Sequence, residues 1–454
     1  MFHREIIDKL KDWAGRDYRK PLILRGSRQV GKTTAVEMFA KEFDQYIALN
    51  LEREQERKIF ETSYPFQDLL MALFYYAGKK RHLGRTLIFI DEIQNAPKAI
   101  ALLRYFKEEA GDLFVIAAGS LLESIMNRKI SYPVGRVEYM MMHPVSFREF
   151  LAATGESQSL DLLNGQEVPA FAHSHLMRQF KKYLTIGGMP QVVEQYVRNN
   201  DLTALQPIYA SLLISYIEDV EKYAPSSSQV QYIRHILTTA FEMAGSRITI
   251  ENFGGSTYKF REMKEAFTTL EKTLLFQLVY PTTDINIPAL PKLTLKPRLH
   301  TLDTGLINYS TNMVKDILST EDIADVYRGR IAEHITGQEL LAMSNSIMNK
   351  LQFWVREKKQ SSAEIDYLYQ YNSKLIPIEV KSGAIGKLRS LHQFMDVAPH
   401  KLAVRVWQGP YSVEKAKTIA GTGFTLLNLP FYLVHRIERE LDKITDLSHH
   451  ATTH

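Results

Sequence analysis

The chain has 454 residues, 45% hydrophobic and 24% charged, enough for two or three globular domains with real cores. It has no cysteine, which excludes disulfides and thiolate-bound metals, and its net charge of +5 is compatible with a nucleic-acid partner without arguing for one. No run nears the roughly 18 apolar residues of a membrane span, and Met1-Phe2-His3-Arg4-Glu5 lacks an apolar signal core. The expectation is a cytoplasmic protein with no membrane partner.

The run Leu22-Ile23-Leu24 reads as a strand, and Thr33 to Phe43, with Val36, Phe39 and Ala40 on one face, as a helix. Between them Gly26-Ser27-Arg28-Gln29-Val30-Gly31-Lys32-Thr33 spells G-x-x-x-x-G-K-T, the phosphate loop, in the context that motif needs. Gly26 and Gly31 let backbone N–H groups turn inward toward an anion, and the following helix N-terminus adds partial positive charge. Residues Gly26 through Thr34 (Ser27, Arg28, Gln29, Val30, Gly31, Lys32 and Thr33 included) are therefore the candidate nucleotide-binding set. Lys32 would reach the β- and γ-phosphates, and the Thr33 hydroxyl would hold Mg²⁺. The apolar run Leu87-Ile88-Phe89-Ile90 ends in Asp91-Glu92. Asp91 would hold the metal through water, and Glu92 would orient or activate the attacking water. A triphosphate loop followed by an acidic pair points to ATP and Mg²⁺.

Strand and helix alternate as far as about Pro144, the pattern of a mostly parallel sheet covered on both faces. A strand is expected at Tyr46 to Leu51, a charged helical stretch up to Gly78, a helix from about Pro97 to Ala110, and a strand Phe114 to Ala118 ending at Gly119-Ser120. This layout resembles the AAA-type ATPases of the predicted archaeal and bacterial kind, whose members carry a C-terminal restriction-endonuclease-like domain. The resemblance implies that the strand ending at Ser120 lies between the other two, which makes Ser120 a γ-phosphate sensor; the residue also reads as a helix N-cap. Gly135-Arg136 followed by Met142-His143-Pro144-Val145-Ser146-Phe147-Arg148-Glu149-Phe150 matches the same family pattern. It implies Arg136 as an arginine finger, with Arg128 a second candidate, acting in its own site or a neighbour's. On chemistry alone either is equally a surface, ion-paired arginine.

Residues 151–225 read as a helical lid, with Gly187-Gly188-Met189-Pro190, a turn similar to the family's, as its hinge. Residues 226–310 give helix, short element, glycine turn, helix and strand, the order of a winged helix. The basic and acidic residues of its second helix nearly balance, so packing is as good a reading there as groove binding. Leu302-Asp303-Thr304-Gly305-Leu306 resembles the family's Asp-x-Gly-Leu turn.

The second chemical constellation lies in residues 325–440. Two alternating runs flank Tyr371-Asn372-Ser373-Lys374, a tight-turn sequence. A hairpin with Asn372-Ser373 at its tip sets Asp366 opposite Glu379, and Lys381 projects from the same face as Glu379. Two opposed carboxylates repel unless a cation intervenes, and Mg²⁺ would bridge them while activating a water. Lys381 would then position that water or stabilise the pentavalent phosphate. The arrangement is similar to the PD-(D/E)xK nuclease core, and the resemblance makes Glu333, in Gly329-Arg330-Ile331-Ala332-Glu333, a third metal ligand. From Lys374 to Lys417 eight basic residues stand against three acidic ones, which suits a phosphate-facing surface. A solvated charge cluster is the competing reading of Asp366, Glu379 and Lys381.

The expected fold class is α/β: a P-loop AAA-type nucleotide domain at 1–150, the lid and winged-helix middle, a C-terminal α/β restriction-endonuclease-like domain, and a disordered tail at 441–454. The expected function is Mg²⁺-dependent ATP hydrolysis whose nucleotide state controls a nuclease-like, DNA-directed module. The alternative is a nucleotide-switched interaction protein whose nuclease-like domain only docks. A second subunit or another protein partner stays open.

Overall fold

The computed structural model describes residues 2–119, 135–219, 224, 226–319, 329–356, 363–381 and 388–451. They fall into two compact units. The first comprises Met1–Val145 with Thr268–Leu275 and Ser344–Asn349; the second comprises Ser146–Phe267, Phe276–Met343 and Lys350–His454.

In the first unit five parallel strands form one sheet: β1 (Leu22–Arg25), β2 (Gln45–Asn50), β3 (Thr86–Asp91), β4 (Phe114–Ala118) and β5 (Glu138–Met141). Their order is β2-β3-β4-β1-β5, so β4 lies between β1 and β3, as the resemblance implies. Strands β3 and β4 are buried along their whole length, which explains their unbroken apolar spelling. Ile23, Ile88, Ile90 and Val115 pack with Phe60, Leu73, Leu103 and Phe106 from the covering helices. Because all five strands point the same way, the ends of β1 and β3 bring the phosphate loop and Asp91 to one edge.

In the second unit Ser146 opens the helix Phe147–Ala153 with a reciprocal capping box to Glu149. Phe147, Phe150, Phe180 and Tyr183 form a buried aromatic cluster behind it. Strands β6 (Phe276–Val279), β7 (Pro281–Thr282) and β8 (Arg298–Thr301) follow, with β6 antiparallel to β8. After the helix Arg330–Ala342 come β9 (Phe353–Val355), β10 (Glu364–Ile365), β11 (Tyr367–Tyr371), β12 (Lys374–Val380), the helix Arg389–Met395, β13 (Leu402–Trp407), β14 (Ser412–Lys417) and β15 (Gly423–Pro430). The larger sheet has the order β11-β12-β13-β15-β14, with β12, β13 and β15 parallel.

One expectation is corrected here. The tail from residue 441 is not wholly disordered, because the helix Ile437–Ala451 runs into it with Leu441 and Ile444 buried at helical spacing from Ile437. The Gly187-Gly188 turn, expected as a lid hinge, is tied to a distant segment. Asp303 accepts hydrogen bonds from Gly188 N at 2.5 Å and from Gly305 N at 2.9 Å, so one carboxylate joins the two family-like turns. A Cβ on Gly187, whose φ is 72°, would overlap the Asp303 carboxylate.

Candidate functional site

The phosphate loop is built as its spelling requires. Gly31 takes φ 92°, in the left-handed region, and caps the helix Lys32–Phe39. Gly26 passes so close to β5 that a Cβ would lie 2.5 Å from the Met142 carbonyl oxygen. Arg4 ties the loop down, donating to Val30 O at 3.0 Å and to His143 O at 2.8 Å. Nothing in the sequence singled out Arg4, because its partners are contributed by segments far along the chain.

Lys32 is 8% exposed and donates Nζ hydrogen bonds to Gly26 O at 3.0 Å and Ser27 O at 2.8 Å. The ammonium is thus held inside the cradle by the loop's own carbonyls. Burial lowers its pKa to about 8, against the upward pull of Glu92 and Asp91. Thr33 Oγ1 donates to Asp91 Oδ2 at 2.7 Å, which joins the loop to the end of β3. Thr33 is exposed and Asp91 buried, so the pair presents two oxygens at the lip of the site, a donor set that fits Mg²⁺. Ser27 Oγ is buried with no partner, a further polar atom available in the loop. Glu92 sits at φ 50°, a strained conformation for a glutamate. Burial raises its pKa, the Gln94 amide that donates to it opposes the rise, and Asp91 adds to it. Loop, lysine, threonine and acidic pair are therefore assembled at one sheet edge.

Arg136 is not part of that assembly. It is exposed and pairs with Glu108, Nε to Oε1 at 2.8 Å. Strand β5 runs parallel to β1 with Leu22 opposite Glu138 and Arg25 opposite Met141. Arg136 precedes Glu138, so it lies at the other end of the sheet, roughly 20 Å from the loop at ~3.3 Å per residue. An own-site finger is excluded by that geometry. Ser120 and Arg128 lie outside the described residues.

The hairpin of the second unit has the register read from its turn. Tyr367 pairs with Ile378 and Tyr371 with Lys374, and both Asn372 and Ser373 take positive φ, 43° and 61°. Asp366 stands at the bend just before β11 and accepts from Val380 N at 2.8 Å, next to Glu379. Lys381 Nζ meets Glu379 Oε1 at 3.0 Å, while Glu379 Oε2 is buried without a partner. Burial, with Asp366 adding to it and Lys381 opposing, raises the Glu379 pKa to about 8.

Arg298 is the residue that sequence reasoning missed. It enters from β8, 93% buried at its side chain, and pairs with Glu364. Its Nη1 lies 3.7 Å from Glu333 Oε2 and its Nη2 3.8 Å from Asp366 Oδ1. Burial opposes its charge, but Glu333, Asp366 and Glu364 together raise its pKa. The cluster thus contains its own cation, and among the described residues no three His, Cys, Asp or Glu side chains are grouped to hold one metal ion. The expectation of Glu333 as a third ligand beside Asp366 and Glu379 is corrected accordingly: Glu333 faces Arg298. Asp366 and Glu379 remain as a two-carboxylate set, which suits a Mg²⁺ completed by water and phosphate.

Residues 18–151 match a family described as an AAA domain. Residues 177–316 and 328–432 match two families described as domains of unknown function, DUF8612 and DUF4143. No curated protein matches the chain significantly. Among solved structures the chain is similar to the Walker-type ATPase of Pyrococcus abyssi, with 16% identity over 68% of this chain and 96% of that one and a TM-score of 0.43. It is also similar to the ORC1 protein of Aeropyrum pernix in complex with DNA, with 13% identity over 71% and 93% and a TM-score of 0.25. At these scores neither structural likeness carries an argument about function.

Proposed function

Residues 18–151 form an AAA-type ATPase domain, and from that premise we propose that its nucleotide state controls a nuclease-like, DNA-directed module in the C-terminal part of the chain. On the ATP side, the loop N–H groups cradle the phosphates and Lys32 neutralises the β- and γ-oxygens. Thr33 would hold Mg²⁺, Asp91 would hold it through water, and Glu92 would orient the attacking water. Mg²⁺, when bound, withdraws the negative charge that builds on the transferred phosphoryl group. The observation that carries this half is the 2.7 Å bond from Thr33 to Asp91, which supports a metal site shared by the hydroxyl and the carboxylate. Arg136 then acts, if as a finger, on a neighbouring subunit's nucleotide, which makes a homo-oligomer part of the reading.

On the nuclease-like side, the order helix Arg330–Ala342, β9, β10 with β11, β12, helix Arg389–Met395, β13 supports a restriction-endonuclease-like fold. Asp366 and Glu379 would hold Mg²⁺, and Lys381 would stabilise the phosphate. The helices Ser227–Thr239 and Phe260–Lys272 followed by β6 support a winged-helix-like middle. A second reading, a docking module without chemistry, is favoured by one observation: Arg298 already supplies the acidic cluster with a cation. Incubating the protein with single- and double-stranded DNA, with Mg²⁺ or Mn²⁺, separates the two. Metal-dependent nicking that disappears in Asp366→Ala supports the nuclease. Intact DNA under every condition leaves only the docking module.

A further inference from the structure

The sheet face that carries Glu379 also carries buried polar side chains that the acidic cluster does not use. Glu379 on β12 stands opposite Arg405 on β13, Arg405 opposite Asn428 on β15, and Asn428 opposite Ser412 on β14. Residues paired across a ladder share a face, so the row is continuous over four strands. Nearer the strand beginnings the same face is apolar, with Leu375, Ala403 and Leu426 packed on Leu391 and Phe394. The polar row starts where that core stops, toward the carboxyl ends of parallel strands, where ligands of open α/β sheets bind.

Arg405 is only 9% exposed, yet among the described residues its guanidinium has neither a hydrogen bond nor an ion pair. Its Nε is fully buried and unpartnered, and so are Glu379 Oε2 and Asn428 Oδ1 on either side. Buried polar atoms are normally satisfied, so three orphans in adjacent register positions mark a place built for something else to complete. The guanidinium is also held in position. Its Cζ lies 4.1 Å from the centre of the Trp407 ring. That ring is fixed by Nε1 donating to Pro410 O at 3.0 Å and by Gly409, where a Cβ would come within 2.5 Å of it. Burial lowers the Arg405 pKa and Glu414 opposes this, so an anion at the fork would relieve the charge. Glu414 does not fill that role, because it accepts from Asn428 Nδ2 at 2.5 Å and Ser412 Oγ at 3.1 Å instead.

We propose that Arg405 binds a phosphate of a polynucleotide strand, next to the phosphate held at Glu379 and Lys381; this rests on the nuclease-like reading above. A planar fork matches two phosphate oxygens at once, and stacking on Trp407 removes the ordering cost before the ligand arrives. The adjacent acidic centre handles one phosphodiester, and the row extends from it across the sheet. A strand laid along the row meets a cation one strand spacing beyond the carboxylates.

The test uses the full chain in EDTA, with a fluorescently labelled single-stranded oligonucleotide and anisotropy as the readout, on wild type, Arg405→Gln, Arg405→Lys and Asp366→Ala. Arg405→Gln should weaken binding about tenfold or more. It should also make the log–log salt dependence shallower by about 0.7, one phosphate contact on a single strand. Thermal melting identifies a misfolded variant; if Arg405→Gln melts early, Arg405→Lys decides, and the loss of its two-pronged contact should still weaken binding several-fold. Unchanged affinity and slope in a folded Arg405 variant overturns the proposal, and so does a wild type that does not bind. Inorganic phosphate as competitor separates the sources: an Arg405 effect on phosphate binding without one on the oligonucleotide also overturns it. Cleavage assays on the same proteins keep the two ideas apart. Arg405-dependent binding without cleavage removes the nuclease reading alone, and cleavage indifferent to Arg405 removes this one alone.

Discussion

Burial sets Lys32 against its own charge. Its pKa of about 8 in the fold, against 10.5 for a free lysine, costs stability below pH 8 that is recovered as pH rises from 8 to 10.5. A triphosphate reverses the balance by pairing with the ammonium, so binding takes up a proton above pH 8. The affinity for ATP should therefore fall about tenfold for each pH unit above that point. Titrations at pH 7, 8 and 9 measure this, and a flat profile would show that Lys32 does not meet the phosphates. The carboxyls of Glu333 and Glu379 shift the other way, each raised by burial to about 8. Their contribution to stability is complete below the ordinary carboxylate range and is lost as pH rises through about 8. Between pH 5 and 8 wild type should lose more stability relative to Glu379→Gln as the pH rises, read as a widening gap between their melting temperatures. An equal slope in the variant would mean that Glu379 is ionised throughout.

Elements are joined here by single residues placed far apart in sequence, and Asp303 is the clearest case. It caps the helix Thr304–Ser310 while gripping Gly188, and burial raises its pKa to about 6 against four hydrogen bonds that lower it. Gly187→Ala forces a methyl against that carboxylate at a positive φ and should destabilise the protein by about 3 kcal/mol or more. Urea unfolding monitored by circular dichroism reads the loss; a change under ~0.5 kcal/mol would mean the turn can give way. The same long-range joints explain what the sequence concealed. The hairpin register was legible because Asn372-Ser373 is a local signal: a two-residue turn dictates every pair beside it. The phosphate loop and Asp91-Glu92 were legible for the same reason, each being a short motif at the end of an apolar strand. Arg298 was not, since it stands well before Glu333, Glu364 and Asp366 in the chain and meets them only after folding. Arg4 was hidden likewise, its partners being main-chain carbonyls that carry no side-chain signature.

At the scale of the whole molecule, the position of Arg136 bears on the proposed finger role, which would need a second chain. It lies at the opposite end of its own sheet from the loop, so any contact with a transferred phosphoryl group must be made to another copy. Arg136→Ala should bind ATP normally and turn it over slowly. Mixing it with Lys32→Ala should restore part of the rate, because each copy supplies what the other lacks. No recovery, with the variants shown to assemble, would reduce Arg136 to a surface ion pair worth under ~1 kcal/mol. All of this depends on the acidic pair after β3 acting on water beside the phosphate loop. The most direct measurement is phosphate release with Mg²⁺ and ATP by wild type and by Glu92→Gln, alongside retention of labelled ATP. The expected result is that Glu92→Gln retains ATP as tightly as wild type while turnover falls about 100-fold or more. Turnover by Glu92→Gln at the wild-type rate would contradict the account.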